Sequence, residues 1–351
     1  MGRSAVGVHR RRPQGRGAGG ARHRPADAQL HLGPRRRAPH QESPAGHLRP
    51  LRGRRAAPAR QLPRHARARL HAVRHARAGP AAHDRLAARG HGARGPALER
   101  ARPPVIHVVV PVFNEAGNAA SLLAQIRERV EPFAQRWRIV VVDDGSTDDT
   151  VEEYARAAAA GAPVEVVRHE RNLGPGAAFR TGFLHVLKTA DPLDVVVTLE
   201  GDQTSDASIL PRLLHRVWEE GDDIALASCY LYGGGIKGTR LHRVGLSHLA
   251  NGLMKKALGL SGLATLSSFY RVYTAAALFA LRESYGEGFI TTRGFECMVE
   301  VLYRAARLGL RISEVPMVLD GSRRVGRSKM KVARTSLAYL ALAVRALTGR
   351  L

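Results

Sequence analysis

From Val105 onward the apolar positions follow two alternating rhythms. "VIHVVVPV" (105–112), "RIVVVDD" (138–144), "VEVVRH" (164–169) and "DVVVTLE" (194–200) are short, nearly continuous apolar runs rich in valine and isoleucine. Such runs predict strands buried on both faces, the habit of a parallel sheet. Between them the apolar spacing widens to three or four residues. In 116–130, Leu122, Leu123, Ile126 and Val130 share one helical face. Residues 148–160, 176–190 and 207–221 read as further helices. Strands alternating with amphipathic helices predict βαβ units, and no segment repeats another.

Composition divides the chain near residue 104. Residues 1–104 hold 25 arginines against 4 acidic residues, which is +21 of the net +25. They contain no Lys, Ile, Asn, Thr, Phe, Tyr, Trp or Cys. A segment so poor in bulky apolar groups has little to set against the entropy of ordering, and disorder is expected for it. Its composition suits GC-rich DNA read out of frame, or an extension from a mis-called upstream start. The rival reading is an arginine-rich arm for RNA or an anionic surface. Aromatic residues interleaved for base stacking are missing from the segment, so no specific nucleic-acid partner is expected.

Residues 105–351 carry 30 basic and 26 acidic residues, an ordinary globular balance. The two cysteines, Cys229 and Cys297, form no spaced motif, which argues for a reducing compartment and against a disulfide scaffold. No stretch reaches about 18 uninterrupted apolar residues, so no membrane-spanning helix is expected. The C-terminal "TSLAYLALAVRALTGRL" (335–351) has about three apolar turns, with Arg345 within it and Arg350 after it. At ~1.5 Å per residue it is too short to cross the hydrocarbon. It suits a helix lying in an anionic membrane interface or packed on the sheet.

The candidate chemistry lies where the apolar runs stop. In open α/β sheets, ligands bind beyond the carboxyl ends of the strands. Three such ends are polar: "PVFNEAGN" (111–118), "VDDGSTDDT" (142–150) and "LEGDQTSD" (199–206). One acidic turn is ordinary, because Gly, Asp, Ser and Thr favour turns. Three on one edge of one sheet would make a single site. Glu200 and Asp202, separated by one glycine, would repel each other unless a cation sat with them. A hard divalent ion that takes one or two carboxylates plus substrate phosphates fits that need.

The ordered set "VVVPVFNEAGN", "VVVDDGSTDDT", "RNLGPGAAFRTGF" and "LEGDQTSD" resembles glycosyltransferase family 2. The later "GFECMVEVLYRAARLGLRISEVPMVLDGSRRVGRSKMK" (295–331) resembles the closing segment of the polyprenyl-phosphate sugar transferases, the dolichol-phosphate mannose synthases among them. The resemblance covers 105–331. It implies a GT-A domain there, a mostly parallel sheet flanked by helices. The disordered segment 1–104 would precede that domain, and a C-terminal amphipathic helix, 332–351, would follow it. The implied activity is inverting transfer of a hexose, mannose or glucose, from a nucleotide-diphosphate sugar to a polyprenyl phosphate. Mg²⁺ or Mn²⁺ would be the cofactor, and the enzyme would sit peripherally on the cytoplasmic face of a membrane. Transfer to another glycan or lipid is the alternative within the family.

The resemblance also assigns roles. Pro111, Asn114 and Glu115 would contact the nucleotide, Asp143 and Asp144 the base, and Arg171 and Gly174 the donor through the glycine-rich loop. Glu200 would bind both donor and metal. Asp202, Arg323 and Lys329 would act in catalysis, with Asp202 and Gln203 completing the metal set. Arg240, Arg243, Arg271 and Ser328 would receive the acceptor phosphate. Four positions depart from the pattern: Glu200 replaces the first Asp of Asp-x-Asp, Thr204 stands where a Gln or His ligand is common, Cys229 interrupts a Ser-Arg-Tyr triplet, and Thr265 replaces an Asp before "SSFYRVY".

Overall fold

The computed structural model describes residues 62–77, 103–134, 136–239, 241–324 and 332–351. Strands β1 (Ile106–Val112), β2 (Trp137–Asp143), β3 (Val164–Arg168) and β4 (Val195–Thr198) form where the apolar runs predict them. Their order in space is β3-β2-β1-β4, all parallel. Alternate residues of β1 pack on opposite faces, so Val108 and Val110 enter one core and Val109 the other.

The sheet continues through a strand not predicted from the sequence, Arg271–Thr274. With Ile224–Ser228 as β5, Gly235–Lys237 as β6 and Arg271–Thr274 as β7, β7 lies antiparallel between β4 and β5. Ile312–Pro316 (β8) closes the far edge, parallel to β5, for seven strands in all. Strand β6 and Val318–Asp320 (β9) make a separate two-stranded pair. The antiparallel β7 leaves β4 and β5 pointing the same way, so β1, β2, β4, β5 and β8 all present their carboxyl ends at one edge.

Helices cover both faces. Of the described helices in chain order, α2 (Ala119–Val130), α3 (Thr150–Ala159) and α5 (Leu210–Trp218) pack on one side. Helices α4 (Pro175–Leu187), α7 (Ala275–Tyr285) and α8 (Cys297–Arg307) pack on the other, backed by α6 (Leu241–Leu258) and α9 (Val332–Leu347). Phe179, Phe183, Phe269 and Tyr273 meet edge-on and stacked within this second core.

One finding corrects the expected boundary at residue 105. Residues Arg64–Arg77 form α1, whose Ala66, Leu70 and Val73 are buried in the second core. Arg69 pairs with Glu283 at 2.7 Å and lies over the Phe279 ring, and Arg74 pairs with the buried Asp223. A mean composition poor in apolar groups concealed a local i, i+4, i+7 stripe, which tertiary packing on α7 rewards. The other residues of 1–104 lie outside the described residues, apart from 62–63 and 103–104.

Candidate functional site

The loops after β1, β2 and β4 meet at the shared edge and are tied to one another. Asn114 takes a left-handed backbone (φ 53°), which asparagine tolerates better than most residues. Its amide donates to Ser146 Oγ at 2.9 Å, and its side-chain oxygen accepts from the Thr147 amide at 2.8 Å. The Glu115 amide donates to Thr150 Oγ1 at 2.8 Å. Gly201 sits so close to this loop that an added Cβ would lie 3.1 Å from Val112 Cγ1 and 3.4 Å from the Pro111 carbonyl. Pro111 and Glu115 therefore lie against the Glu200–Asp202 turn, and Asn114 is tied to the loop after β2.

The two aspartates at the end of β2, Asp143 its last residue and Asp144 the next, face inward. Asp143 is fully buried, accepts from the Ser146 amide and pairs with Arg168 at 3.3 Å. Asp144 accepts from the amides of Leu173 and Gly174 at 2.9 and 2.8 Å and from His169 Nδ1 at 2.8 Å. In this arrangement Asp144 is the anchor of the glycine-rich loop. That loop needs its glycine: Gly174 has φ 94°, and a Cβ there would lie 2.3 Å from the Arg293 carbonyl oxygen. Arg171 is exposed at the start of the loop, with its backbone packed against Gly145.

Glu200 and Asp202 follow β4 directly. Burial, and then the neighbouring charge of Asp202, push the Glu200 carboxyl up to about 7, against a hydrogen bond from Ser205 Oγ at 2.7 Å that lowers it. Asp202 Oδ1 accepts from Thr204 Oγ1 at 2.8 Å and from the Thr204 amide at 3.2 Å. Its Oδ2 accepts from Arg324 Nε at 2.7 Å, with Arg324 Nη2 at 2.6 Å. Arg324 was not singled out in the sequence; the only signal was its place beside Arg323 in "SRRVGRSK". Arg323 itself is half-exposed and reaches Asp320 at 3.9 Å.

Two expected roles are corrected by these placements. Gln203 is not turned to the carboxylates. Its left-handed backbone (φ 59°) swings the amide onto α2, where it bonds Gln125 and Ser121 and approaches Asn118 at 3.3 Å. Among the described residues no group of three His, Cys, Asp or Glu side chains is placed to hold a metal. Arg271 is not an acceptor contact either. It lies on the interior strand β7, fully buried, and donates to the carbonyls of Ser268, Leu266 and Met298 at 2.7, 2.8 and 2.9 Å. Of the remaining acceptor candidates, Arg240 and Ser328 lie outside the described residues, as does the expected catalytic Lys329, and so does the side chain of Arg243.

Thr265, one of the departures from the family pattern, is bonded into the loop after β5. Thr265 Oγ1 bonds Ser228 Oγ at 2.8 Å and accepts from the Tyr230 amide at 3.4 Å. Glu314 holds the Ala264 and Thr265 amides at 2.5 and 2.8 Å. Burial pushes the Cys229 thiol up to about 11, with Glu200 and Glu314 adding to the shift, so it is neutral at physiological pH.

A family model described as glycosyl transferase family 2 matches residues 107–279, the span that holds all three strand-end loops. A polyprenol monophosphomannose synthase of Mycolicibacterium smegmatis is 30% identical over 245 residues, covering 70% of this chain and 88% of that protein. The chain belongs to glycosyl transferase family 2. This family 2 member is thus a glycosyltransferase with the α/β layering expected of it. An undecaprenyl-phosphate mannosyltransferase of Micrococcus luteus is 31% identical over 222 residues, 63% of this chain and 86% of that protein. Among solved structures, a glucosyl-3-phosphoglycerate synthase from Mycobacterium tuberculosis, in complex with Mn²⁺, UDP and glucosyl-3-phosphoglycerate, is similar at 19% identity and a TM-score of 0.46, covering 70% and 80% of the two chains.

Proposed function

We propose that this transferase moves a hexose, mannose or glucose, from a nucleotide-diphosphate sugar to a polyprenyl phosphate, with inversion and with Mg²⁺ or Mn²⁺ bound. The observation that carries the reading is the Glu200–Asp202 pair, set at the end of β4 beside the Pro111–Glu115 loop. Two hard oxygen donors of like charge, both half-buried and one pushed up to about 7, suit a divalent cation that would relieve their repulsion. Asp202 and Glu200 would hold it. Lewis-acid neutralisation of the leaving diphosphate is the chemistry a bound ion supplies.

The chain's own groups do the rest. Asn114, Glu115 and Arg171 line the edge where the nucleotide lies. The backbone of the glycine-rich loop approaches the donor closely, held in place by Asp144. The acceptor is a phosphate monoester with a second pKa of about 6, already anionic at pH 7. One of its oxygens attacks the anomeric carbon as the bond to the diphosphate breaks, and the diphosphate leaves with the electron pair. No strong base is required, and one in-line displacement inverts the anomeric centre. Relatives named for polyprenol and undecaprenyl-phosphate mannose transfer support this choice of acceptor.

We place the enzyme at the cytoplasmic face of a membrane, where such an acceptor stays. Among the described residues no helix is long and apolar enough to cross a membrane. On α9, however, Leu337, Leu340, Val344 and Leu347 are all exposed. They recur at i, i+3, i+7 and i+10, a stripe along one face of the kind that enters an interface. The deciding assay gives the purified protein a panel of nucleotide sugars with a short polyprenyl phosphate and Mg²⁺ or Mn²⁺. Labelled sugar should enter the organic phase as an acid-labile lipid. Transfer only to a soluble or glycan acceptor would overturn the reading.

A further inference from the structure

We propose that Arg324 is the resident cation of the Asp202 carboxylate, and that it makes divalent-ion binding depend on the donor's diphosphate. The inference rests on the reading of Asp202 as a metal ligand. Both oxygens of Asp202 are occupied: Oδ1 by Thr204, Oδ2 by two guanidinium nitrogens of Arg324 at 2.6 and 2.7 Å. Arg324 is delivered to that position by local structure. Asp320 caps the short turn Gly321–Arg323, accepting from the Ser322 amide and hydroxyl at 3.0 and 2.6 Å. The Asp320 amide donates to the Thr204 carbonyl at 2.9 Å, so the backbone carrying Arg324 is fastened to the loop carrying Asp202.

Two cations on one carboxylate oxygen repel. A divalent ion arriving alone must therefore displace the guanidinium into water. The pair is exchangeable, because the Arg324 side chain is 31% exposed and that of Asp202 18%. When a diphosphate arrives with the ion, the displaced guanidinium gains an anionic partner to which its planar fork is well matched. Ion and diphosphate then favour each other's binding, and the coupling is reciprocal. Arg323, exposed and paired loosely with Asp320, does not hold this position.

The test measures Mn²⁺ uptake by the full chain from loss of the free-ion electron paramagnetic resonance signal, with Mn²⁺ alone and with GDP or UDP added. Wild type should bind Mn²⁺ weakly alone and more tightly with nucleotide. In Arg324→Gln, affinity for Mn²⁺ alone should rise about two- to fivefold, the range of a partly exposed ion pair. The gain from added nucleotide should shrink. Asp202→Asn should abolish uptake in both backgrounds. Unchanged or weaker Mn²⁺ affinity in Arg324→Gln, with uptake still lost in Asp202→Asn, would overturn the role of Arg324 and leave the metal reading standing. Uptake that survives Asp202→Asn, or no uptake by wild type with either nucleotide, would overturn both. Melting temperatures measured alongside check that each variant is folded.

Discussion

Asp202 and Arg271 were both expected in the site, and their environments separate them. Asp202 is partly exposed at a loop, so Asp202→Asn should leave the melting temperature within a few degrees of wild type. Transfer should fall by roughly 100-fold or more, the scale for removing one electrostatic stabiliser of developing charge; wild-type turnover in the variant would remove Asp202 from the reaction. Arg271→Met should do the opposite. It leaves the carbonyls of Leu266, Ser268 and Met298 buried without their donor, at about 1–3 kcal/mol each. A drop of roughly 5 °C or more is expected, with the acceptor KM of the folded enzyme unchanged. Glu200 gives a pH signature in metal-free protein. Its carboxyl is raised to about 7 from an ordinary 4.5, so in that interval the native state keeps a proton the unfolded chain has released. Stability therefore falls as pH rises through it, and Glu200→Gln should flatten that slope in melting curves taken without metal. The carboxylates were legible because they interrupt apolar runs. The partner of Asp202 was not, since Arg324 is 122 residues away and only folding brings it near.

Among the elements, α1 changes what counts as the domain. A core starting at Val105 is the expectation from composition, but α1 covers α7 with Ala66, Leu70 and Val73. Leu70→Ala should cost about 2–3 kcal/mol, lowering the melting temperature by several degrees. A chain beginning at residue 62 should melt like the full-length protein, whereas one beginning at 105 should melt lower. Equal melting of all three would show that α1 contributes nothing. The glycine-rich loop offers a sharper case. Gly174→Ala combines a left-handed backbone with a Cβ 2.3 Å from the Arg293 carbonyl, so the loop must move. Donor KM should rise more than stability falls. Strands β1 to β4 were readable because burial on both faces leaves a continuous apolar signature. Strand β7 was not: its four residues, Arg271–Thr274, include an arginine and a threonine, and only neighbours on both sides make it a strand.

For the whole molecule the remaining question is how the site meets a lipid. The exposed stripe of α9, with the exposed Arg334 on the helix and Arg350 just past its end, predicts binding to anionic vesicles that weakens as salt rises, because exposed charges are screened. The full chain carries 25 arginines in residues 1–104, so its binding alone would not identify the surface. Comparing it with Leu340→Asp/Val344→Asp keeps that background constant. The double variant should bind vesicles less tightly and lose lipid-acceptor transfer while still binding nucleotide; undiminished sedimentation would mean α9 is not the contact.

The sequence by itself determined the alternation of strand and helix, the edge at which polar clusters collect, and the family. Each follows from short-range patterns, namely periodicity along one element and motifs within one loop. Tertiary structure alone decided that Arg271 saturates backbone carbonyls in the core, that Gln203 turns toward α2, that Arg324 takes the Asp202 oxygen, and that α1 belongs to the fold. In each case a side chain's role depends on which distant groups surround it. An arginine reads the same in a sequence whether it meets carbonyls, a carboxylate or water, and only packing distinguishes them.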